Sequence, residues 1–581
     1  MINLEGIAAS PGIKIGTAYL LLDQEIIIQE QKITDSEIES EIDRLHQALE
    51  SVKQELSELK EYMSEKIGHQ NAGIFKAHLM FLNDPELVPK FEEKIKKEQL
   101  RAEKAVAEVM DNYIQLFSQM KDDYLKARKS DVSDVRKRII EKLIDRQPTQ
   151  VVQENDTEEG IIVVASDLTP SDTAQLDRSV VKAFVTEQGS RTSHSAIMAR
   201  SLGIPAVVGL GEGLLEQCNH GDKIIVDGVK GKIYINPDLE LLKRYQKKAG
   251  DYKEEQQELT VYRDRLAETK DGKRIEVMGN IGEPADVNSV LENGGEGIGL
   301  FRTEFLYMNR DHLPSEEEQF QVYCEVAKKM KQHPVIIRTL DIGGGKDLPY
   351  LDLDEEQNPF LGYRAIRISL EKTEIFKAQL KAVLRAGSYG NIKLMYPMIS
   401  SLEELNKANQ VLAAAKEELR QEGKDFDQDM EIGIMIEIPA TLMIADILAK
   451  NVDFFSIGTN DLIQYMLAVD RNNEKIADMH SPYHPAVLRF IKQIIDIAHK
   501  QDIWVGMCGE AAGEELLLPF WLGAGIDELS MSAVSILKTK ESISRWDLTR
   551  AQEISKKVLE LGTEKEIIEL LEQVKGGGPI N

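Results

Sequence analysis

The sequence predicts a multidomain α/β protein, in which an α/β domain with an inserted helical bundle is followed by a (β/α)8 TIM barrel. Short apolar runs separated by glycine and proline, which are typical of strands, fill the first 22 residues and return from Gly160. Between these segments, Thr34 to Asp145 shows long helical periodicity with many Glu and Lys residues. The second half alternates eight β-like runs with helical patterns over about 300 residues, as expected for a (β/α)8 barrel.

The composition limits the class of protein. A chain of 581 residues suffices for roughly three or four domains, and 42% hydrophobic with 29% charged residues is typical of a soluble globular protein. No apolar run reaches the ~20 residues of a membrane-spanning helix, and the N-terminus lacks the pattern of a secretory signal. The net charge of −28 disfavours nucleic acid and anionic membranes. We therefore expect no nucleic-acid partner and no membrane insertion.

Cysteine usage indicates the compartment. The three cysteines, Cys218, Cys324 and Cys508, are few and lack the spacing of metal ligands. They predict no disulfide framework, and such sparse cysteines are typical of a reducing cytoplasm. We therefore expect a cytoplasmic protein.

Changes of pattern along the chain predict the domain boundaries. The polar stretch after Pro237 predicts a helical linker, and Gly250 within it is a candidate flexing point. The expected segments are 1–22 and 149–236 for the α/β domain, 23–148 for the inserted helical domain, 237–270 for the linker, 271–575 for the barrel and 576–581 for a flexible tail.

A single histidine stands where an irregular segment becomes a helix. His194 lies within Gly-Ser-Arg-Thr-Ser-His-Ser-Ala-Ile-Met-Ala-Arg at 189–200, and Thr192 or Ser193 can cap the helix that follows. Free backbone N–H groups and the positive end of the helix dipole would surround any group attached to the imidazole. This environment suits a phosphoryl group on a ring nitrogen. A structural histidine in a capping loop is the alternative that the residues alone leave open.

The barrel strands end in charged and reactive side chains. The runs are Arg274–Ile281, Gly297–Glu304, Val335–Ile342, Ile392–Ile399, Glu431–Pro439, Phe454–Asp461, Trp504–Glu510 and Glu528–Ser532. Active sites of such barrels lie at the C-terminal ends of the strands. Glu437 and Asp461 end adjacent runs, so their carboxylates can converge on one Mg²⁺, whose remaining positions go to water and substrate phosphate.

Arginines accompany these carboxylates. Guanidinium groups bind the oxygens of phosphates and carboxylates in pairs, and an asparagine amide can donate to a phosphate oxygen. The residues that we assign to this anion site are Arg302, Arg338, Arg364, Arg471 and Asn460. Taken singly, each arginine is more often a surface charge; grouped at strand ends, they indicate a ligand that carries both a phosphate and a carboxylate.

Several segments resemble the phosphoenolpyruvate-utilising enzymes, and Enzyme I of the bacterial sugar phosphotransferase system in particular. The phosphohistidine signature around His194 is one, although Ser190 stands where the family usually has a second glycine. The others are 297–308, 337–344, 358–367, 433–439, 453–462 and 506–510, in family order, so that the resemblance covers nearly the whole chain.

The resemblance implies a phosphoryl relay. Phosphoenolpyruvate would bind at the barrel mouth with Mg²⁺ on Glu437 and Asp461, and His194, in a swivelling α/β domain, would take the phosphoryl group. Cys508 would protonate the remaining enolpyruvate to give pyruvate. The phosphoryl group would then pass to a histidine of the phosphocarrier HPr, docked on the inserted helical domain, as the first step of sugar uptake. The resemblance also implies a homodimer formed through the barrel.

Two other functions compete with this interpretation. A noncatalytic regulator that keeps an old enzyme scaffold would show loss of the nucleophile, the metal ligands or the arginines, and none of these is lost. ATP-dependent phosphoenolpyruvate synthesis needs a large nucleotide-binding region ahead of the phosphohistidine domain, for which this chain has no room. For docking of HPr, the candidate apolar anchors are Ile74, Leu79 and Phe81.

Overall fold

The computed structural model describes the chain except for some short segments, and it divides into two units, Met1–Gln256 and Gln257–Asn581. The positions outside the description are 22–27, 29–31, 68–74, 76–77, 120–122, 146–159, 169–179, 190–192, 194, 197, 200–202, 212, 309, 311, 345–347, 349, 352, 355, 472, 474 and 576–581. Each unit is described by itself.

A mixed eight-stranded sheet forms the centre of the first unit. Its strands are β1 (Ile2–Glu5), β2 (Ile7–Ser10), β3 (Ile13–Leu21), β4 (Ile161–Ala165), β5 (Val181–Thr186), β6 (Ala206–Val208), β7 (Lys223–Asp227) and β8 (Lys232–Ile235). Their order is β1-β8-β7-β3-β4-β5-β6-β2, and β3 to β6 run parallel to one another. The segments predicted from the sequence on both sides of the helical insert therefore form one sheet.

Strand β4 shows why the parallel strands of this sheet are continuous apolar runs in the sequence. All five of its residues are buried. Ile161 and Val163 pack into the core on one face of the sheet, whereas Ile162 and Val164 pack into the core on the other face. A parallel strand covered on both faces needs apolar residues at every position.

The insert is a helical bundle with its own core. Its helices are α1 (Ile38–Ile67), α2 (Leu87–Glu98), α3 (Ala102–Gln119) and α4 (Asp123–Leu143). A capping box precedes α1, in which the backbone N–H of Thr34 donates to Glu37 Oε2 at 2.7 Å. Met198 of the α/β domain joins the apolar core of the bundle. The two parts of the first unit therefore share packed side chains close to position 194.

Helix α5 (Leu214–Gln217) precedes β7, and helix α6 (Leu239–Leu259) follows the sheet. The Lys248 ammonium donates to the fully buried Asp227 carboxylate at 2.5 Å, which fixes α6 to strand β7. The helix runs through Gly250 without a break. Flexing at Gly250 therefore stays a prediction from the sequence.

The second unit is built on a closed barrel of eight parallel strands. They are β9 (Glu276–Ile281), β10 (Ile298–Arg302), β11 (Val335–Arg338), β12 (Ile392–Tyr396), β13 (Ile432–Ile436), β14 (Phe454–Ile457), β15 (Trp504–Met507) and β16 (Glu528–Met531). The barrel predicted from the sequence is confirmed, but most strands end earlier than the apolar runs. For example, β11 ends at Arg338 rather than Ile342, and β14 ends at Ile457 rather than Asp461.

Helices surround the barrel and bury its outer face in one large apolar core. They are α7 (Asp286–Glu292), α8 (Glu316–Met330), α9 (Ile366–Glu371), α10 (Thr373–Gly387), α11 (Leu402–Glu422), α12 (Ala445–Leu448), α13 (Thr459–Leu467), α14 (Pro485–His499), α15 (Leu518–Ala524), α16 (Ala533–Ser544), α17 (Leu548–Glu560) and α18 (Glu564–Val574). In the described part of the chain, no helix combines the length and apolar character needed to cross a membrane.

Candidate active site

Glu437 is a buried carboxyl group immediately after strand β13. The turn that follows this strand brings its Oε1 within 2.6 Å of the backbone N–H of Met398, which donates to it. Burial, together with the charges of Asp461 and Asp341, raises the pKa of Glu437 to about 8, although Arg338 and Arg364 act in the opposite direction. The carboxyl groups of Glu437, Asp461 and Asp341 are therefore close enough for their charges to repel one another.

Asp461 lies in the first turn of α13 rather than at the end of a strand. Its Oδ2 is 3.3 Å from the Arg364 guanidinium, which also donates to Asp341 Oδ1 at 3.0 Å. The other guanidinium nitrogen of Arg364 donates to the hydroxyl of Tyr465 at 2.9 Å. Arg364 therefore links the residues after β11 with those after β14.

Arg338, at the end of β11, is held by two acidic side chains. Its Nη2 donates to Glu304 Oε1 at 2.8 Å and lies 2.9 Å from Asp341 Oδ2. Burial alone would lower the pKa of Arg338, but the Asp341 and Glu304 carboxylates more than offset this and raise it. Arg302 is directly beside Arg338 in the register of strands β10 and β11. Two arginines therefore occupy neighbouring positions at this end of the barrel.

Arg471 and Asn460 complete the polar set. Nη1 of Arg471 is 3.7 Å from Asp461 Oδ1. Asn460 Oδ1 accepts from the backbone N–H of Glu510 at 3.0 Å, which orients the amide so that its NH2 group is the donor. The structure thus connects Glu437 and Asp461 with Arg338, Arg364 and Arg471 through contacts or charge effects.

Cys508 follows strand β15 and lies inside the barrel at 2% exposure. Ser456 Oγ donates to its sulfur at 3.3 Å, and the thiol donates to the carbonyl oxygen of Ile457 at 3.8 Å. Burial raises the pKa of Cys508 to about 12; the Ser456 hydrogen bond lowers it slightly and the charge of Glu528 raises it. Cys508 therefore carries its proton at neutral pH, as a proton donor must.

The acidic residues at this end fit a divalent cation. Asp461 Oδ1 is buried and, among the described residues, accepts no hydrogen bond. Glu437 lies close enough to Asp461 for the charge of each carboxylate to act on the other. Two carboxylates, with substrate oxygens and water for the other positions, are a usual Mg²⁺ environment. The described residues contain no cluster of three or more His, Cys, Asp or Glu side chains arranged for a metal.

Comparison with known proteins identifies the family. Residues 5–128, 157–231 and 256–548 match the N-terminal, mobile and phosphoenolpyruvate-binding domains of phosphoenolpyruvate-utilising enzymes. The chain is 47% identical over 569 residues to the phosphoenolpyruvate-protein phosphotransferase of Priestia megaterium, covering 98% of each chain. The chain belongs to the phosphoenolpyruvate-protein phosphotransferase family. The Bacillus subtilis (strain 168) member is 47% identical over 573 residues, covering 99% of this chain and 100% of its own, and the Staphylococcus carnosus (strain TM300) member is 45% identical over 571, covering 98% and 99%.

In this member of the phosphotransferase family, His194 lies outside the described residues. Its neighbours are described: Ser193 Oγ accepts from the backbone N–H of Ala196 at 3.4 Å and lies 3.0 Å from Ser195 Oγ. The chain is helical at 195–196 and 198–199. Ser193 therefore caps a helical segment at the place that the sequence predicted.

Four residues that the sequence analysis does not assign to the site contact the site residues of this phosphotransferase. Glu304 and Asp341 are not among the residues assigned to the site from the sequence, yet their carboxylates pair with Arg338, and Asp341 also pairs with Arg364. Tyr465 and Ser456 contact Arg364 and Cys508. Tyr465 follows Asp461 by four positions on α13, and this helical spacing is a signal that could have identified it.

Proposed function

We propose that this protein transfers the phosphoryl group of phosphoenolpyruvate to its own His194 and then to a histidine of the phosphocarrier HPr, releasing pyruvate. This reaction is the first step of sugar uptake by the phosphotransferase system. The observation that carries the proposal is the grouping of guanidinium and carboxylate side chains after strands β10, β11, β13 and β14, in a chain that belongs to this enzyme family.

The arginines bind and orient the substrate. Arg302 and Arg338 occupy neighbouring positions at the ends of β10 and β11, and a pair of planar guanidinium groups suits the paired oxygens of a phosphate and a carboxylate. Arg471 and the Asn460 amide donate to the same anion from the α13 side. Arg364, fixed between Asp341 and Asp461, holds these carboxylates in place. Binding from several directions places the phosphorus for in-line attack by the imidazole of His194.

Glu437 and Asp461 are the residues that would hold Mg²⁺. The cation supplies Lewis-acid stabilisation of charge on the substrate oxygens during a loose phosphoryl transfer. Glu437 must lose its proton to act as a ligand, because its pKa in the folded protein is raised to about 8.

Cys508 completes the reaction at carbon. Loss of the phosphoryl group leaves the enolate of pyruvate, which becomes pyruvate when its methylene carbon takes a proton. The thiol is kept protonated by burial and is oriented by the hydrogen bond from Ser456. It is the donor that we assign to this step.

HPr and a second copy of this chain are the partners that we propose, in the cytoplasm. Of the candidate HPr anchors, Leu79 and Phe81 pack against the core of the helical bundle, and Ile74 lies outside the described residues. The exposed Met80, at 62%, and Leu116, at 57%, offer apolar contacts on the same bundle. Exposed apolar side chains in loops after the barrel strands, such as Leu361 and Met443, favour pairing of two barrels.

The test is transfer of ³²P from labelled phosphoenolpyruvate to the purified protein with Mg²⁺, followed by addition of HPr. We expect label that is lost in acid and stable in alkali, as phosphohistidine is, and its discharge to HPr. A folded protein that takes up no label in the presence of Mg²⁺ would contradict the proposal and favour a noncatalytic regulator.

Cation binding is expected to strengthen as the pH rises. Glu437 must release a proton when the cation binds, so affinity should rise by up to about tenfold per pH unit between about pH 6 and pH 8, and then level off. Mn²⁺ binding can be followed by electron paramagnetic resonance over this range, and proton release by calorimetry in two buffers. Affinity that does not change with pH would show that Glu437 is not a ligand.

A further inference from the structure

Glu528 is a buried acid that the reaction above does not use. It begins strand β16, is 1% exposed, and, among the described residues, neither of its carboxyl oxygens accepts a hydrogen bond of normal geometry. Burial and the neighbouring charge of Glu276 raise its pKa well above the usual value, and the nearby N–H of Met507 lowers it only in part. Burial without an ion-pair partner among the described residues favours the protonated form of this carboxyl group.

Two glycines on other strands make room for this carboxyl group. A Cβ atom at Gly299 of β10 would collide with Glu528 Oε1, and a Cβ at Gly506 of β15 would collide with Oε2. The side chain of Glu528 therefore extends through the interior of the barrel rather than to its outer face. An apolar residue would fill the same space without the free-energy cost of a buried acid.

The carboxyl group of Glu528 lies one same-face position from Cys508, toward the N-terminal ends of the barrel strands. Side chains of a strand alternate between its faces, so Trp504, Gly506 and Cys508 share the inner face of β15, and same-face neighbours are about 7 Å apart. The Glu528 carboxyl occupies the side-chain space of Gly506, which is one same-face position from Cys508. Hydroxyl groups of Ser456 and Ser530 lie in the same interior.

The geometry points to Glu528 as the acid that reprotonates Cys508 after each turnover. This inference rests on the proposed function. When the S–H proton of Cys508 moves to the methylene carbon of enolpyruvate, a C–H bond forms and a thiolate is left in the apolar interior of the barrel. The O–H proton of Glu528 then moves to that sulfur, directly or through one hydroxyl group. Cys508 is again a thiol, and Glu528 is a carboxylate.

A path from water restores the proton of Glu528. Glu276 is directly beside Glu528 in the register of β9 and β16, and its side chain is 43% exposed. A proton from bulk water can therefore reach Glu528 from the end of the barrel opposite to the substrate. The charge of Lys393 lowers the pKa of Glu528, but the Lys393 ammonium is paired with the Glu431 carboxylate at 2.6 Å.

The experiment separates phosphoryl transfer from carbon protonation. Labelling of His194 is measured by rapid quench, and pyruvate by coupling to lactate dehydrogenase, which does not reduce the enol. In the wild type, labelling of His194 and formation of pyruvate should proceed at the same rate. Because Cys508 begins with its own proton, labelling and the first equivalent of pyruvate in Glu528→Gln should stay within about twofold of the wild type. With excess HPr present to discharge His194, pyruvate from the later turnovers should appear at least about tenfold more slowly, as expected for loss of an acid–base group.

The controls decide between this inference and the alternatives. Glu528→Met, of similar size and suited to the apolar interior, should show the same lag, and it serves if the glutamine variant does not fold. Glu541→Gln changes a buried acid on α16, outside the barrel interior, and should show no lag. Equal slowing of labelling and pyruvate in both Glu528 variants, or no slowing of either, would overturn the role of Glu528.

Failure of this inference can be told from failure of the proposed function. Cys508→Ala should delay pyruvate from the first turnover onward if Cys508 is the donor, whether or not Glu528 supplies it. A lag in Cys508→Ala without one in the Glu528 variants overturns only the role of Glu528. Absence of label on the wild type overturns the proposed function itself.

Discussion

Replacement of His194 by alanine is expected to abolish uptake of ³²P from phosphoenolpyruvate, with no label above background. The imidazole is the nucleophile in our proposal, and alanine has no atom that can accept a phosphoryl group. The capping contact from Ser193 to Ala196 does not involve the imidazole, so the helical segment should be retained. Quantitative labelling, with circular dichroism to verify the fold, checks this prediction.

His220→Ala is the matched control for this variant. His220 belongs to the same unit, is exposed, and contacts Tyr19 edge-to-face with 5.2 Å between the ring centroids. We expect it to be labelled like the wild type. Acid-labile label that persists in His194→Ala would show that another side chain is the nucleophile.

Replacement of Glu437 by glutamine is expected to lower the rate of His194 phosphorylation by about a thousandfold. An amide is a poor ligand for Mg²⁺, and loss of about 4 kcal/mol of charge stabilisation corresponds to this factor. The amide oxygen can still accept from the Met398 N–H, so the loop should keep its conformation. Single-turnover labelling at saturating Mg²⁺ measures the effect.

The same variant should be more heat-stable than the wild type when no metal is present. Unfolded Glu437 loses its proton near its ordinary pKa of 4.5, whereas folded Glu437 loses it near 8. Wild-type stability therefore falls as the pH rises between these values, and a glutamine does not titrate. The difference in Tm should grow from about pH 5 to about pH 8.

Glu431→Gln is the control for both effects. Glu431 immediately precedes the same strand at its other end, where it is 44% exposed and pairs with Lys393. Activity and the pH dependence of its Tm should match the wild type. A Glu437→Gln enzyme with more than a tenth of wild-type activity would show that Glu437 does not hold the cation.

The fold could be predicted from the sequence because each barrel strand is a local signal. Strands such as Ile432–Ile436 are short apolar runs between helical patterns, and neighbouring residues are enough to identify them. Their ends were harder to predict. The strand ends at Ile457 and a helix begins at Thr459, so Asp461 belongs to the helix although the run assigned from the sequence extends to it.

The candidate site could be predicted in part for a related reason. Glu437, Asp461 and the arginines follow apolar runs, and a parallel barrel brings such positions to the same end. Contacts between distant segments leave no local signal. The space for Glu528 depends on glycines at positions 299 and 506, and nothing beside Glu528 in the sequence indicates them.

The pairing of β3 with β4 has a consequence for the order in which the chain becomes structured during synthesis. Residues 22–160 separate these neighbouring strands, so β3 leaves the ribosome long before its partner exists. The bundle between them has a core made almost entirely of its own residues and can collapse first. By bringing its two ends together, the bundle shortens the loop that the pairing must close. The sheet is therefore completed after the bundle, once β8 has been translated.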